Sequence, residues 1–201
     1  MIQLYTGTPG SGKSADTTKM LFKYGAHAGG VVITNFDINK NYLPLYARRA
    51  KFYAIDNDKF DPDLITELVK SAKNHKESTS LVVIDEAQLL FNSRDWNHPD
   101  RKKWVSFFTQ HRKLGCDVLL VCQNAQMLDK QIRPLVEYEC IHRKISSFGI
   151  VAKTLSLIFF GRLFVAVNYY APTKMRVSSR FFLLTRKMTK IYDTFDLFGQ
   201  K

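Results

Sequence analysis

Short apolar runs alternate with segments of helical period through the first 140 residues, the arrangement of an α/β fold built on a mostly parallel sheet. Residues 2–6 and 31–34 read as strands. Leu81-Val-Val-Ile84 is uninterrupted and largely β-branched, which suits a strand buried on both faces. Residues 118–122 repeat that texture. Between these strands, Asp61-Pro62 supplies an N-cap and a proline at the first helical position. Leu64, Ile65, Leu68, Val69 and Ala72 follow as a stripe at helical spacing. Residues 100–113 predict a second helix with Trp104, Val105, Phe107 and Phe108 on one side, stopped by Leu114-Gly115. This aromatic cluster is expected in the core rather than on a base-stacking surface. Residues 127–136 are a further helix candidate whose limits Pro134 blurs.

Beyond residue 136 the period changes to two. Val136, Tyr138, Cys140 and His142 alternate with Glu137, Glu139, Ile141 and Arg143, predicting a strand with one exposed face. Apolar runs at 157–160 and 163–167 flank Gly161-Arg162, a candidate two-residue hairpin turn, and residues 176–186 add another strand-like segment. The final sixty or so residues therefore read as antiparallel β structure added to the core. A chain of 201 residues suits one domain. Lys153 and Arg162 interrupt the apolar stretch at 150–170, so no membrane-spanning helix is expected within the sequence. The N-terminus carries no basic segment followed by an apolar one, which predicts a cytoplasmic location.

Charge changes this picture more than composition does. The net charge of +12 is concentrated in residues 141–201, which hold 11 Lys and Arg against 2 acids, whereas residues 1–140 hold 19 against 16. A surface of that kind suits a polyanion, either nucleic acid or an anionic lipid leaflet. Three cysteines, Cys116, Cys122 and Cys140, form no C-x-x-C pair, which argues against a disulfide framework or a zinc site and predicts reduced, buried thiols. The five histidines show no metal-ligand spacing and are expected to be structural or exposed.

The candidate chemistry lies between the first strand and the helical segment after it. Gly7-Thr-Pro-Gly-Ser-Gly-Lys13-Ser14 fits G-x-x-x-x-G-K-[ST] in the context that motif requires. Gly7, Gly10 and Gly12 allow backbone torsions that turn successive N–H groups onto phosphate oxygens at the positive end of a helix. Thr8, Pro9 and Ser11 fill and shape the loop. Lys13 supplies charge for the β- and γ-phosphates, and the Ser14 hydroxyl is a magnesium ligand. The strand at 81–84 ends in Asp85-Glu86, two acids that a buried strand seldom carries unless a cation or a reaction meets them. Asp85 is expected to hold magnesium through water, and Glu86 to act as general base on the attacking water. Gln123 ends the strand at 118–122, where open α/β sheets bind ligands, and is a candidate for orienting that water. Arg112 and Arg133 are candidates for an arginine finger. Residues 1–140 thus read as a nucleotide-binding core and 141–201 as its basic, β-rich extension. ATP and Mg²⁺ are the expected cofactors. A base beside the metal ligand argues against a mere nucleotide binder, and no lid or acceptor pocket of a simple kinase is visible.

Together with Val83-Ile-Asp-Glu-Ala-Gln88, His111-Arg-Lys-Leu-Gly-Cys-Asp117, Asp129-Lys-Gln-Ile-Arg133 and Ile191-Tyr-Asp-Thr-Phe195, this loop resembles the zonular occludens toxin family along nearly the whole chain. That family comprises assembly ATPases of filamentous phages, within the FtsK/HerA-type motor ATPases. The resemblance implies a core in which the Gln123 strand lies between the phosphate-loop strand and the Asp85-Glu86 strand. It also implies a homo-oligomer, possible as a ring, with an arginine reaching a neighbour's nucleotide. The expected role is ATP-driven assembly or export of a DNA-containing virion at the cytoplasmic face of the inner membrane, with DNA and virion or membrane assembly proteins as partners. Phage-assembly members continue into a transmembrane helix and a periplasmic segment. The sequence through Lys201 reads as the cytoplasmic part of such a protein or as a shorter relative. The alternative is a viral genome-packaging ATPase that translocates double-stranded DNA.

Overall fold

The computed structural model describes residues 1–93, 100–147 and 162–192. Its strands are β1 (Ile2–Thr6), β2 (Val31–Thr34), β3 (Lys51–Ala54), β4 (Ser80–Ile84), β5 (Cys116–Val121), β6 (Tyr138–Lys144), β7 (Leu163–Tyr170) and β8 (Met175–Leu183). They form one sheet in the order β3-β2-β4-β5-β1-β6-β7-β8. From β3 to β6 every pairing is parallel, and β6–β7 and β7–β8 are antiparallel. The helices are α1 (Lys13–Gly25), α2 (Pro62–Lys70), α3 (Arg101–Gln110) and the short α4 (Arg186–Ile191).

The sheet holds its place because β2, β4 and β5 carry apolar residues on both faces and every residue in them is buried. Val82, Ile84, Val118 and Leu120 face α2 and α3, where Ile65, Val69, Trp104 and Phe108 complete one half of the core. Leu81, Val83, Leu119 and Val121 face α1 through Leu21 and Tyr24, and this second half extends to Phe164, Phe182, Ile191 and Tyr192 of the C-terminal addition. Asp61 caps α2 as its sequence predicts, accepting from Asp63 N at 2.9 Å with Pro62 at the first helical position. The expected aromatic cluster is core: Trp104 lies 4.9 Å from Phe91 edge-on and 5.6 Å from Phe108, centroid to centroid. The three cysteines are free and buried.

Two expectations change, and one strand was not foreseen. Residues 127–136 form no α-helix but two short 3₁₀ turns, Ala125–Met127 and Arg133–Leu135. Leu128, Ile132 and Val136 are buried at a spacing of four that imitates a helical stripe. Local side chains take the backbone donors instead: Asn124 Oδ1 accepts from Gln126 N, and Asp129 Oδ1 from Gln131 N at 2.7 Å. The edge strand β3 carries no apolar run, its residues being half-buried or exposed, and periodicity did not reveal it. The face of β6 expected to be exposed is partly closed, because the β7–β8 turn brings Lys174 Nζ within 2.7 Å of the buried Glu139 carboxylate, which also accepts from Thr6 Oγ1. The apolar run 157–160 and Gly161 of the expected hairpin turn lie outside the described residues. Strands β7 and β8 are joined by a reversal at 171–174. Among the described residues, no helix is long and apolar enough to cross a membrane.

Candidate functional site

Parallel strands place their carboxyl ends along one edge of the sheet, and the polar residues that end β1, β4 and β5 meet there. The loop at 7–14 leaves β1 and enters α1 through Gly12, whose φ of 96° lies in the left-handed region. A β-carbon on Gly12 would come within 2.9 Å of the Phe164 ring, and one on Gly7 within 2.5 Å of the His142 carbonyl oxygen. The glycines are thus demanded partly by β6 and β7, which form the back wall of the loop. Gly10, by contrast, has open space where its β-carbon would be, although its φ of 71° still favours glycine.

The first turn of α1 has no side-chain cap, so its leading N–H groups are directed at the loop without an intrahelical acceptor. Ser11 Oγ is buried with no hydrogen-bond partner. Lys13 Nζ donates to the carbonyls of Gly7 (2.7 Å) and Thr8 (3.2 Å). Burial pulls its ammonium below the usual lysine range, while the nearby Glu86 and Asp85 carboxylates act in the opposite sense. An uncapped helix start, an orphaned hydroxyl and a lysine facing two carboxylates fit a nucleoside triphosphate with its magnesium ion.

Asp85 is buried, and burial pushes its carboxyl up to about 7. Its main chain is clamped by Asn35 at the end of β2: Asn35 Nδ2 donates to Asp85 O (2.9 Å), and Asp85 N donates to Asn35 Oδ1 (2.7 Å). Glu86 is half-buried with a φ of 45°, an uncommon conformation for a non-glycine residue, and Gln88 Nε2 donates to its Oε2. A cleft of about 530 Å³ joins the loop to Asp85 and Glu86, and Phe164, Leu184, Met188 and Tyr192 of the C-terminal addition complete its wall. The Tyr192 hydroxyl donates to Asp85 Oδ2.

The remaining candidates are placed less centrally. Gln123 follows β5 beside the loop, its carbonyl accepting from Gly7 N at 3.2 Å while its side chain is exposed. Arg112 sits at the amino ends of the strands, opposite the loop of its own chain, and pairs with Glu137 at 2.6 Å. Arg133 donates to the carbonyls of Gln126 and Leu128, both at 3.0 Å. Neither arginine lines the cleft at the loop.

Sequence reasoning did not single out three groups behind the loop. Asp16, one turn into α1, is buried; its Oδ2 accepts from Arg180 of β8 and lies 2.9 Å from His142 Nε2 of β6. Cys140 lies close enough that Asp16, Cys140 and His142 bring ligand-type atoms within 4.8 Å of one another. The Arg180 guanidinium already occupies that carboxylate, and burial pushes the Cys140 thiol up to about 12, so the cluster is an ion-paired network rather than a cation cage. Asn35 was likewise missed, although a polar residue directly after the apolar run 31–34 was the available signal.

A phosphate loop after β1, an acid pair after β4 and β5 inserted between those strands define a P-loop NTPase fold, with the strand order the resemblance implied. The family model described as zonular occludens toxin (Zot) matches residues 1–176, and the chain belongs to this family. It is 29% identical over 168 residues to the Gene 1 protein of Enterobacteria phage I2-2, covering 81% of this chain and 46% of that protein. It is 28% identical over 211 residues to the Gene 1 protein of Enterobacteria phage M13, covering 98% of this chain and 60% of that protein. The chain thus spans about half the length of these relatives. Among solved structures, the N-terminal domain of zonular occludens toxin from Neisseria meningitidis aligns with a TM-score of 0.59 at 20% identity, covering 96% of this chain and 98% of that one. The genome packaging NTPase B204 from Sulfolobus turreted icosahedral virus 2, solved with ATP-gammaS, aligns at 0.53 and 16% identity, covering 90% and 95%.

Proposed function

We propose that the chain is a magnesium-dependent ATPase domain that powers filamentous phage assembly or export at the inner membrane. The observation that carries this reading is the Asp85-Glu86 pair facing the phosphate loop across one cleft. The main-chain N–H groups of residues 10–14 would bind the phosphate tail, and Ser14 with Asp85 would hold the magnesium ion. Magnesium, when bound, neutralises charge on the β- and γ-phosphate oxygens. Lys13 adds its positive charge on the same side. Glu86 takes the proton of the attacking water on a carboxylate oxygen, and Gln123 orients that water from the neighbouring strand end. Arg112 and Arg133 act, in this reading, at the nucleotide of an adjacent subunit, which a homo-oligomer would supply.

The basic extension supports contact with DNA or an anionic membrane surface. On β8, Met175, Val177 and Phe181 are exposed beside Arg176, a row suited to assembly partners. The likeness to B204, whose name describes genome packaging, supports translocation of double-stranded DNA as the second reading. Lys13→Ala should abolish triphosphate binding, and Glu86→Gln should bind ATP yet turn over slower by roughly 10² to 10⁴. Unchanged steady-state hydrolysis in Glu86→Gln removes the base assignment. Affinity for single- against double-stranded DNA, measured across salt concentrations, separates the two roles.

A further inference from the structure

Asp85 is immobilised from three directions. Its main chain directly follows the central strand β4 and is held by Asn35. The third hold comes from the far end of the described chain. After α4 the backbone closes against the segment following β2, where Asn39 N donates to Ile191 O at 3.1 Å and Ile38 bridges Tyr192 in antiparallel fashion. This docking buries Tyr192, packs its ring edge-on against Phe36 at 4.2 Å, and delivers its hydroxyl to Asp85 Oδ2. A phenol with this much support around its ring fixes the rotation of the carboxylate it touches, which also accepts a main-chain hydrogen bond from Glu86.

We infer that Tyr192 is a positioning residue for magnesium: its hydroxyl fixes the orientation of the Asp85 carboxylate, which would hold the ion beside the phosphate loop. The inference rests on the ATPase reading and extends it to a residue from the C-terminal addition. A group that orients a metal-binding carboxylate typically controls metal affinity by about 10- to 100-fold when removed. Tyr192→Phe deletes the hydroxyl and keeps the ring against Phe36.

The test measures binding of a fluorescent ATP analogue to the full chain during a magnesium titration, with EDTA as the zero point, for wild type, Tyr192→Phe and Asp85→Asn. Thermal unfolding of each variant establishes that it is folded. In Tyr192→Phe the half-saturating magnesium concentration should rise about tenfold, with analogue affinity in EDTA unchanged and the wild-type hydrolysis rate recovered in excess magnesium. Phe36→Leu, which loosens the ring's pocket but keeps the hydroxyl, should lower the melting temperature and raise magnesium demand in the same direction as Tyr192→Phe but by less. An unchanged or tighter magnesium response in Tyr192→Phe, where Asp85→Asn loses the response, overturns the role of Tyr192 and leaves the site reading intact. If Asp85→Asn also responds like wild type, the metal assignment itself falls, and the inference with it.

Discussion

Replacing Arg180 by alanine tests whether the antiparallel addition is energetically part of the nucleotide-binding core. The guanidinium donates to Asp16 Oδ2, a carboxylate in the first turns of α1 whose side chain is 1% exposed, while the Arg180 side chain is 41% exposed. Removing one partner of a fully buried pair costs about 3–5 kcal/mol, because a charge is left without compensation. Water reaches Arg180 here and His142 stays beside Asp16, so the cost should fall to about 2 kcal/mol, between that figure and the near-zero worth of a surface pair. For a chain of this size, that is a drop in melting temperature of roughly 4–8 °C. Calorimetry or urea unfolding reads it directly. In an Asp16→Asn background the same substitution should cost under about 0.5 kcal/mol, since no buried charge remains to be stranded.

The pH dependence supplies a second reading of the same pair. Burial alone would raise the Asp16 carboxyl, but the hydrogen bond with His142 and the charge of Arg180 outweigh it and hold the group below the usual carboxylate range. Its folded value is therefore below its unfolded one. The stabilisation is present above about pH 4 and is lost as pH falls through the folded value, so the gap between wild type and Arg180→Ala should close in acid. Equal costs in the Asp16 and Asp16→Asn backgrounds, or a gap that persists unchanged in acid, would refute the argument.

Further outcomes follow from the site. Gly12→Ala combines a left-handed φ with a collision against Phe164 and should cost about 2–4 kcal/mol, whereas Gly10→Ala meets open space and should cost about 1 kcal/mol; comparing the two melting temperatures checks the back-wall argument. Because burial raises the Asp85 carboxyl to about 7, its contribution to stability is fully present below about pH 4 and is lost as pH rises through 7. In magnesium-free buffer, Asp85→Asn should therefore gain stability over wild type between pH 5 and pH 8, and a difference independent of pH would show that this carboxyl titrates normally.

The strands β1, β2 and β4, the cap of α2 and the aromatic face of α3 were legible because each depends on residues adjacent in sequence. The meeting of the phosphate loop and Asp85-Glu86 along one cleft was legible for the same reason, since each directly follows a strand marked by adjacent residues. The edge strand β3 was not, because an edge needs no apolar alternation, and residues 127–136 misled because buried positions four apart were realised by 3₁₀ turns. The supports of the site are invisible to any local reading. Asn35 meets Asp85 across 50 residues, Tyr192 meets Asp85 across 107, and Arg180 meets Asp16 across 164. Tyr192 lay within a recognised stretch whose purpose the sequence did not disclose.

The bond between Arg180 and Asp16 joins an edge strand to the helix that begins with Lys13, through one guanidinium and no intervening loop. A load applied to the β7–β8 hairpin is therefore carried straight to the base of α1. Peeling the hairpin outward must either snap that tether or tilt the helix and drag the loop's lysine with it, which makes the outermost strand a mechanical handle on the phosphate-loop edge of the sheet.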